Sequence, residues 1–165
     1  YFCSKDCKTA FEQDPAAYLP ARLPRPAPTA TVETLDGEPI DLSRYGGQLV
    51  VLDFWATWCS PCIDMMPKLQ TLHDTYAERG VAVLGVSIDE GDDRIKKIRR
   101  FIDKVGISYP VYTDARPTPA WNAFKVKAIP ALFLIDRRGQ IVAQWLGRIS
   151  HDDLERQIEA LLKQG

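Results

Sequence analysis

Leu49-Val50-Val51-Leu52-Asp53-Phe54-Trp55 carries one polar side chain in seven residues. A run that apolar suits a strand covered on both faces, so the chain must build a sheet with layers on either side. Val81 to Ile88 has the same character. Between the two runs, from about Pro61 to Arg79, Cys62, Met66, Leu69, Leu72 and Tyr76 recur at helical spacing and mark one buried face. Pro67 is expected to kink that helix.

The rest of the chain supplies matching pieces. Thr31 to Leu35 and Pro39 to Leu42 flank Asp36-Gly37, a hairpin signal. Asp92 to Val105 is amphipathic through Ile95, Ile98, Phe101, Ile102 and Val105, with Asp92 and Asp93 placed where a helix start favours negative charge. Its basic run, Lys96-Lys97-Ile98-Arg99-Arg100, reads as a solvated helix face. Tyr109 to Tyr112 reads as a short strand and Thr118 to Phe124 as a short helix. Ala131 to Ile135 and Gln140 to Trp145 read as strands joined through Arg137-Arg138-Gly139, and Ser150 is expected to cap a last helix that turns Leu154, Ile158, Leu161 and Leu162 inward. Strands alternating with helices, then a hairpin and a closing helix, predict an α/β fold with a mixed central sheet flanked by helices.

No apolar run reaches the ~20 residues that span a bilayer. With 21 basic and 22 acidic side chains the net charge is −1, which gives no general attraction to nucleic acid or anionic lipid. The chain starts at Tyr1 rather than Met, so a removed segment is expected upstream, where any signal or membrane anchor would lie. The proline-rich stretch 20–28 reads as a linker, dividing a short segment, 1–19, from one main domain, 29–165.

The four cysteines form two close pairs, Cys3/Cys7 and Cys59/Cys62, which suggests redox or metal chemistry rather than a scaffold of structural disulfides. Cys59-Ser60-Pro61-Cys62 falls where the buried strand passes into a helix. Unpaired N–H groups and the helix dipole at such a start stabilise an anion, so Cys59 is the expected nucleophilic thiolate. Cys62, one turn further in, is within reach to resolve the mixed disulfide that Cys59 forms. Pro61 suits the first helical turn.

The segment Asp53-Phe54-Trp55-Ala56-Thr57-Trp58-Cys59-Ser60-Pro61-Cys62, with Pro67 five residues on, resembles the active-site strand and loop of the thioredoxin superfamily. Lys127-Ala128-Ile129-Pro130-Ala131 resembles the segment carrying that family's cis-proline. By this likeness Ile129 and Pro130 face the cysteines, and with Trp58, Ser60 and Pro61 they form the surface that meets a substrate. Leu35-Asp36-Gly37 leading to Ile40-Asp41-Leu42, the added strand and helix within 86–112, and Asp136-Arg137-Arg138-Gly139-Gln140 make the likeness closest to extracytoplasmic reductases of the TlpA/ResA type. It covers about residues 27–164. It implies a thioredoxin fold with an N-terminal hairpin and a central strand–helix insertion, and a protein-disulfide reductase that needs no cofactor for the exchange. It also implies a disulfide-bearing protein substrate, an upstream thiol donor that is membrane-bound, a monomer, and a periplasmic or membrane-tethered location.

Two positions depart from the pattern. Asp53 matches the family's buried acid, but the usual neighbouring lysine is replaced by Gly85. A buried carboxylate with no cation resists ionising, so Asp53 is expected to have a raised pKa and to accept the Cys62 proton. Met65 stands where some cytochrome-maturation members carry glutamate.

Residues 1–19 resemble the second half of a YHS domain, through Tyr1-Phe2-Cys3, Cys7, Phe11 and Asp14-Pro15-Ala16-Ala17-Tyr18-Leu19. Cys3 and Cys7 lie one helical turn apart and could share a copper(I) or zinc ion. Two other readings of the main domain are a copper-binding or copper-delivery protein using Cys59, Cys62 and Met65, Met66 or His73, and a peroxiredoxin-like peroxidase. Copper carriers of this fold typically separate their cysteines by three residues. The peroxidase pattern P-x-x-x-T-x-x-C is missing, because Thr57 is only two residues before Cys59. His73 reads as a partly exposed helix residue and His151 as a solvated one.

Overall fold

The computed structural model describes residues 22–147 and 150–164, without the His151 side chain. The segment 1–19, with Cys3 and Cys7, lies outside the described residues, as does the side chain of His151.

In chain order the elements are β1 (Arg25–Pro26), β2 (Thr31–Glu33), β3 (Pro39–Asp41), β4 (Leu49–Trp55), α1 (Ser60–Tyr76), β5 (Val81–Ser87), α2 (Arg94–Val105), β6 (Val111–Asp114), α3 (Ala120–Ala123), β7 (Ala131–Ile135), β8 (Gln140–Leu146) and α4 (His151–Leu162). One eight-stranded sheet runs β1-β8-β7-β4-β5-β6-β2-β3. Strands β4, β5 and β6 are parallel, while β7, β8 and the β2–β3 hairpin join antiparallel, so the sheet is mixed as expected.

β4 is central, and all seven of its residues are buried. Its side chains alternate between two cores, as the strand period of two requires. Leu49, Val51 and Trp55 face the core packed by α1, α2 and α4. Val50, Leu52 and Phe54 face the other, closed by Ala120, Phe124, Val126 and the β2 residue Val32. Phe54, Phe124 and Phe133 pack there with ring centroids 5.1 to 5.9 Å apart. Among the described residues, three of the four helices thus cover one face. On that face Leu154 and Ile158 of α4 are fully buried, each contributing roughly 1.5–3 kcal/mol by leaving water.

Several boundaries moved for identifiable reasons. The strand expected at 109–112 begins at Val111. Tyr109 turns into the core, and Pro110, which has no N–H to give a ladder, uses its carbonyl to accept from Gly85 N. The helix expected over 118–124 shrinks to Ala120–Ala123, its start capped by the Asp114 carboxylate, which accepts from the backbone N–H of Ala120 and Trp121. Ser150 occupies the cap position of α4, but its side chain makes no capping bond. Within the proline-rich stretch, Arg25-Pro26 pairs antiparallel with Ile141 and Gln140, so part of the expected linker is an edge strand of the sheet. Helix α1 continues through Pro67, and its Met65 joins the predicted buried face.

Candidate active site

β4 ends at Trp55 and α1 begins at Ser60, so Cys59 is the N-cap of α1 and Cys62 lies in its first turn. The two sulfurs are joined as a disulfide, with Cα atoms 5.3 Å apart. The Cys59 sulfur also accepts from the Cys62 backbone N–H at 3.3 Å. A sulfur capping a helix start is where partial positive charge is concentrated, which favours the thiolate over the thiol. The cysteines themselves are not at an exposed edge: Cys59 is only 5% exposed and Cys62 is fully buried. Water reaches the neighbours instead: Trp58 is 67% exposed and Ser60 is exposed.

Asp53 is buried on the same face of β4 as Val51 and Trp55, the face whose core contains Cys62. Its partner in the parallel ladder is Gly85. Burial pushes the Asp53 carboxyl up to about 7, and its Oδ2 has no hydrogen-bond partner. Two rings occupy the space a side chain at Gly85 would need. A Cβ there would stand 3.1 Å from Trp55 Nε1 and 3.3 Å from Tyr109 Cε2. Burial first, and then the Asp53 charge, hold the Tyr109 phenol well above its usual range, so it stays protonated.

The loop before Cys59 is tied down by Asp89, an acid just past β5 that is only 8% exposed. Its carboxylate accepts from Thr57 N at 2.9 Å, from Thr57 Oγ1 at 2.6 Å and from Ser87 Oγ at 2.8 Å. Three donors converging on one buried carboxylate make a rigid tether between the centre of the sheet and the cysteine loop. Beside it runs a groove of about 1290 Å³, lined by Thr57, Trp58, Ile88, Asp89 and Ile129 among others. The Ile129–Pro130 bond is cis, as the resemblance implied, and Ile129 is half-buried just ahead of β7, whose pairing starts at Ala131.

Comparison with known proteins agrees with this geometry. A family model described as AhpC/TSA family matches residues 23–144. The thiol-disulfide oxidoreductase ResA of Geobacillus kaustophilus is 34% identical over 135 residues, which are 82% of this chain and 75% of that protein. ResA of Bacillus anthracis is 34% identical over 134 residues, 81% of this chain and 75% of that protein. The crystal structure of a thiol:disulfide interchange protein of the thioredoxin family from Chlorobium tepidum TLS superposes with a TM-score of 0.72 at 29% identity, over 87% of this chain and 99% of that one. MTB dsbF, solved in mixed oxidized and reduced forms, superposes with a TM-score of 0.69 at 26% identity, over 79% and 93% of the two chains.

The chain belongs to the AhpC/TSA family and is a thiol–disulfide oxidoreductase of thioredoxin fold. The oxidoreductase brings Cys59, Cys62 and Asp53 to one end of β4, with Trp58 and Ile129 on the groove beside them. Pro61 is half-buried in the first turn of α1, and Pro130 is buried. Tyr109, Thr57 and Asp89 escaped the sequence reading. Ser87-Ile88-Asp89, an acid and a hydroxyl two residues apart at a strand end, was the available signal for the last of these.

Of the residues of the copper reading, Cys59, Cys62, Met65 and Met66 lie in one core cluster. Met65 and Met66 are core residues, 5% and 0% exposed, and His73 is half-buried with its ring edge-on to Tyr109 at 6.3 Å. Among the described residues, no three His, Cys, Asp or Glu side chains are grouped as a metal site.

Proposed function

We propose that the oxidoreductase reduces disulfides of partner proteins by a two-step exchange at Cys59 and Cys62. With the pair reduced, the Cys59 thiolate attacks one sulfur of the substrate disulfide. That bond breaks, a mixed disulfide forms, and the first substrate thiolate leaves and takes a proton. Cys62 gives its proton to the Asp53 carboxylate and attacks the Cys59 sulfur. The second substrate thiolate leaves and is protonated as Asp53 gives up the proton it took, and the Cys59–Cys62 disulfide remains, so the substrate gains two electrons and two protons. A dithiol donor restores the pair by the reverse exchange. The observation that carries this reading is the Cys59 sulfur at the N-cap of α1, bonded to Cys62 and facing its backbone N–H.

In this reading the substrate lies across Trp58, Ser60, Pro61 and the cis Ile129–Pro130 segment, with the Ile129 backbone supplying strand-like hydrogen bonds. The site of action is extracytoplasmic, the upstream donor is a membrane-bound thiol protein, and the enzyme works as a monomer. Residues 1–19 are proposed as a YHS-like segment in which Cys3 and Cys7 hold copper or zinc. Titration with either ion tests this: stoichiometric binding must disappear in Cys3→Ser/Cys7→Ser.

Insulin reduction in the presence of a dithiol donor is the direct assay for the exchange. Cys59→Ser is expected to abolish turnover, and Cys62→Ser to accumulate the mixed disulfide with substrate. Full turnover by Cys59→Ser, or copper bound stoichiometrically through the Cys59/Cys62 pair, would overturn the mechanism.

A further inference from the structure

Helix α2 concentrates positive charge beside the dithiol. Six of the chain's 21 basic side chains and one of its 22 acidic ones fall in its twelve residues, although the whole chain has a net charge of −1. The six divide into two sets. Arg94 pairs with Glu33, Lys97 with Asp93 and Arg99 with Asp36. Lys96, Arg100 and Lys104 have no ion-pair partner among the described residues, and all three are exposed. Their spacing of four places them in one stripe along the helix, where like charges repel. The lone acid, Asp103, is three residues from Arg100 and borders the stripe, but no ion pair joins it to Lys96, Arg100 or Lys104 among the described residues. Lys96, Lys97, Arg99 and Arg100 are exposed while Ile98 is buried, as expected of a solvated helix face.

The stripe borders a recess of about 460 Å³, lined by Lys96, Lys97, Arg100 and Lys104, with Phe101, Thr57 and Asp93 completing it; the Asp93 carboxylate is taken up by Lys97. The half-buried Phe101 ring packs on Trp55 with centroids 5.6 Å apart. Thr57 and Lys97 also line the groove that holds Trp58 and Ile129, so the recess adjoins the substrate groove two residues from Cys59. A polypeptide held across the dithiol therefore places its flanking residues against three unpaired cations.

The geometry points to this recess as a docking site for an acidic segment flanking the target disulfide in the substrate protein. The inference rests on the disulfide-reductase reading and adds to it the chemistry of the partner. Charge complementarity argues for the acidic occupant: the stripe keeps uncompensated repulsion that carboxylates would relieve, and the aromatic wall accommodates an apolar side chain between them. A polypeptide is favoured over a lipid surface because the cations line a recess continuous with the cleft where a substrate chain must lie.

The test uses two disulfide-bonded peptides, identical except that the four residues next to the cysteine are Glu in one and Gln in the other. The native enzyme is expected to reduce the acidic peptide with a kcat/KM about tenfold higher at ~0.02 M salt, and less than about twofold higher at ~0.5 M, where screening is short-ranged. The triple variant Lys96→Gln/Arg100→Gln/Lys104→Gln, checked for an unchanged thermal transition, is expected to bring the ratio near one. Equal rates on the two peptides with native enzyme overturn the inference, as does a preference that survives high salt or the triple substitution. Salt-sensitive binding to phosphatidylserine vesicles, lost in the triple variant and with no peptide preference, would overturn it in favour of a lipid surface. Failure of native enzyme to reduce either peptide or neutral 2-hydroxyethyl disulfide instead removes the reductase reading on which it rests.

Discussion

Replacing Asp53 by Asn should change how stability depends on pH, and the size of the change follows from where the carboxyl sits. In the unfolded chain Asp53 titrates near 3.8, and in the fold burial raises it to about 7. The folded protein thus holds the proton more tightly. Between those two values the unfolded chain has lost its proton and the folded chain has kept it, so raising the pH favours unfolding. At about 1.4 kcal/mol per pH unit, native stability should fall by on the order of 4 kcal/mol from pH 4 to pH 7 on account of this one group, and then level off. The asparagine side chain of the variant has no proton to lose. Its buried amide carries a cost of its own, but that cost is the same at every pH, and the other titrating groups contribute alike to both proteins, so the difference between the two isolates Asp53. Urea unfolding of both proteins, with the Cys59–Cys62 disulfide intact, should give curves that diverge in favour of the variant as pH rises. Parallel curves from pH 4 to pH 8 would show that Asp53 ionises normally in the fold, and the proposed proton acceptor for Cys62 would lose its physical basis. The same variant should slow the resolving step at neutral pH, read as longer survival of the mixed disulfide.

Two further substitutions test the surroundings of the cysteines. Asp89→Ala removes the acceptor for three donors, two of them on Thr57, and should destabilise the fold by roughly 1–3 kcal/mol while loosening the loop; hydrogen exchange at the Thr57 and Trp58 amides no faster than in the native protein would refute the tether. Gly85→Ala drives a methyl against Trp55 and Tyr109 at 3.1 and 3.3 Å and should cost about 1–3 kcal/mol in thermal unfolding, whereas an unchanged transition would mean that the two rings yield freely.

Much of the architecture could be read from periodicity. Leu49–Trp55 and Ala131–Ile135 have the predicted bounds because each is a dense apolar run ended by a change in polarity. Helix α1 was legible from its buried stripe, and Cys59 and Cys62 from their position at its start. Those features are local. They depend on which residues are three or four apart along the chain.

What the sequence determined by itself was therefore the order of elements, the covered central strand and the dithiol at its end, since period, capping and the Cys-x-x-Cys spacing act between near neighbours. Tertiary structure alone decided that Asp114 would cap a helix six residues on, that Arg25-Pro26 would join the sheet by pairing with β8, and that Asp89 would hold Thr57 across 32 positions. It also decided that Trp55 and Tyr109 would fill the space beside Gly85. All but the Asp114 cap are contacts between segments far apart in the chain, and whether a buried acid finds a donor or a cavity finds a ring is settled only when the strands are side by side.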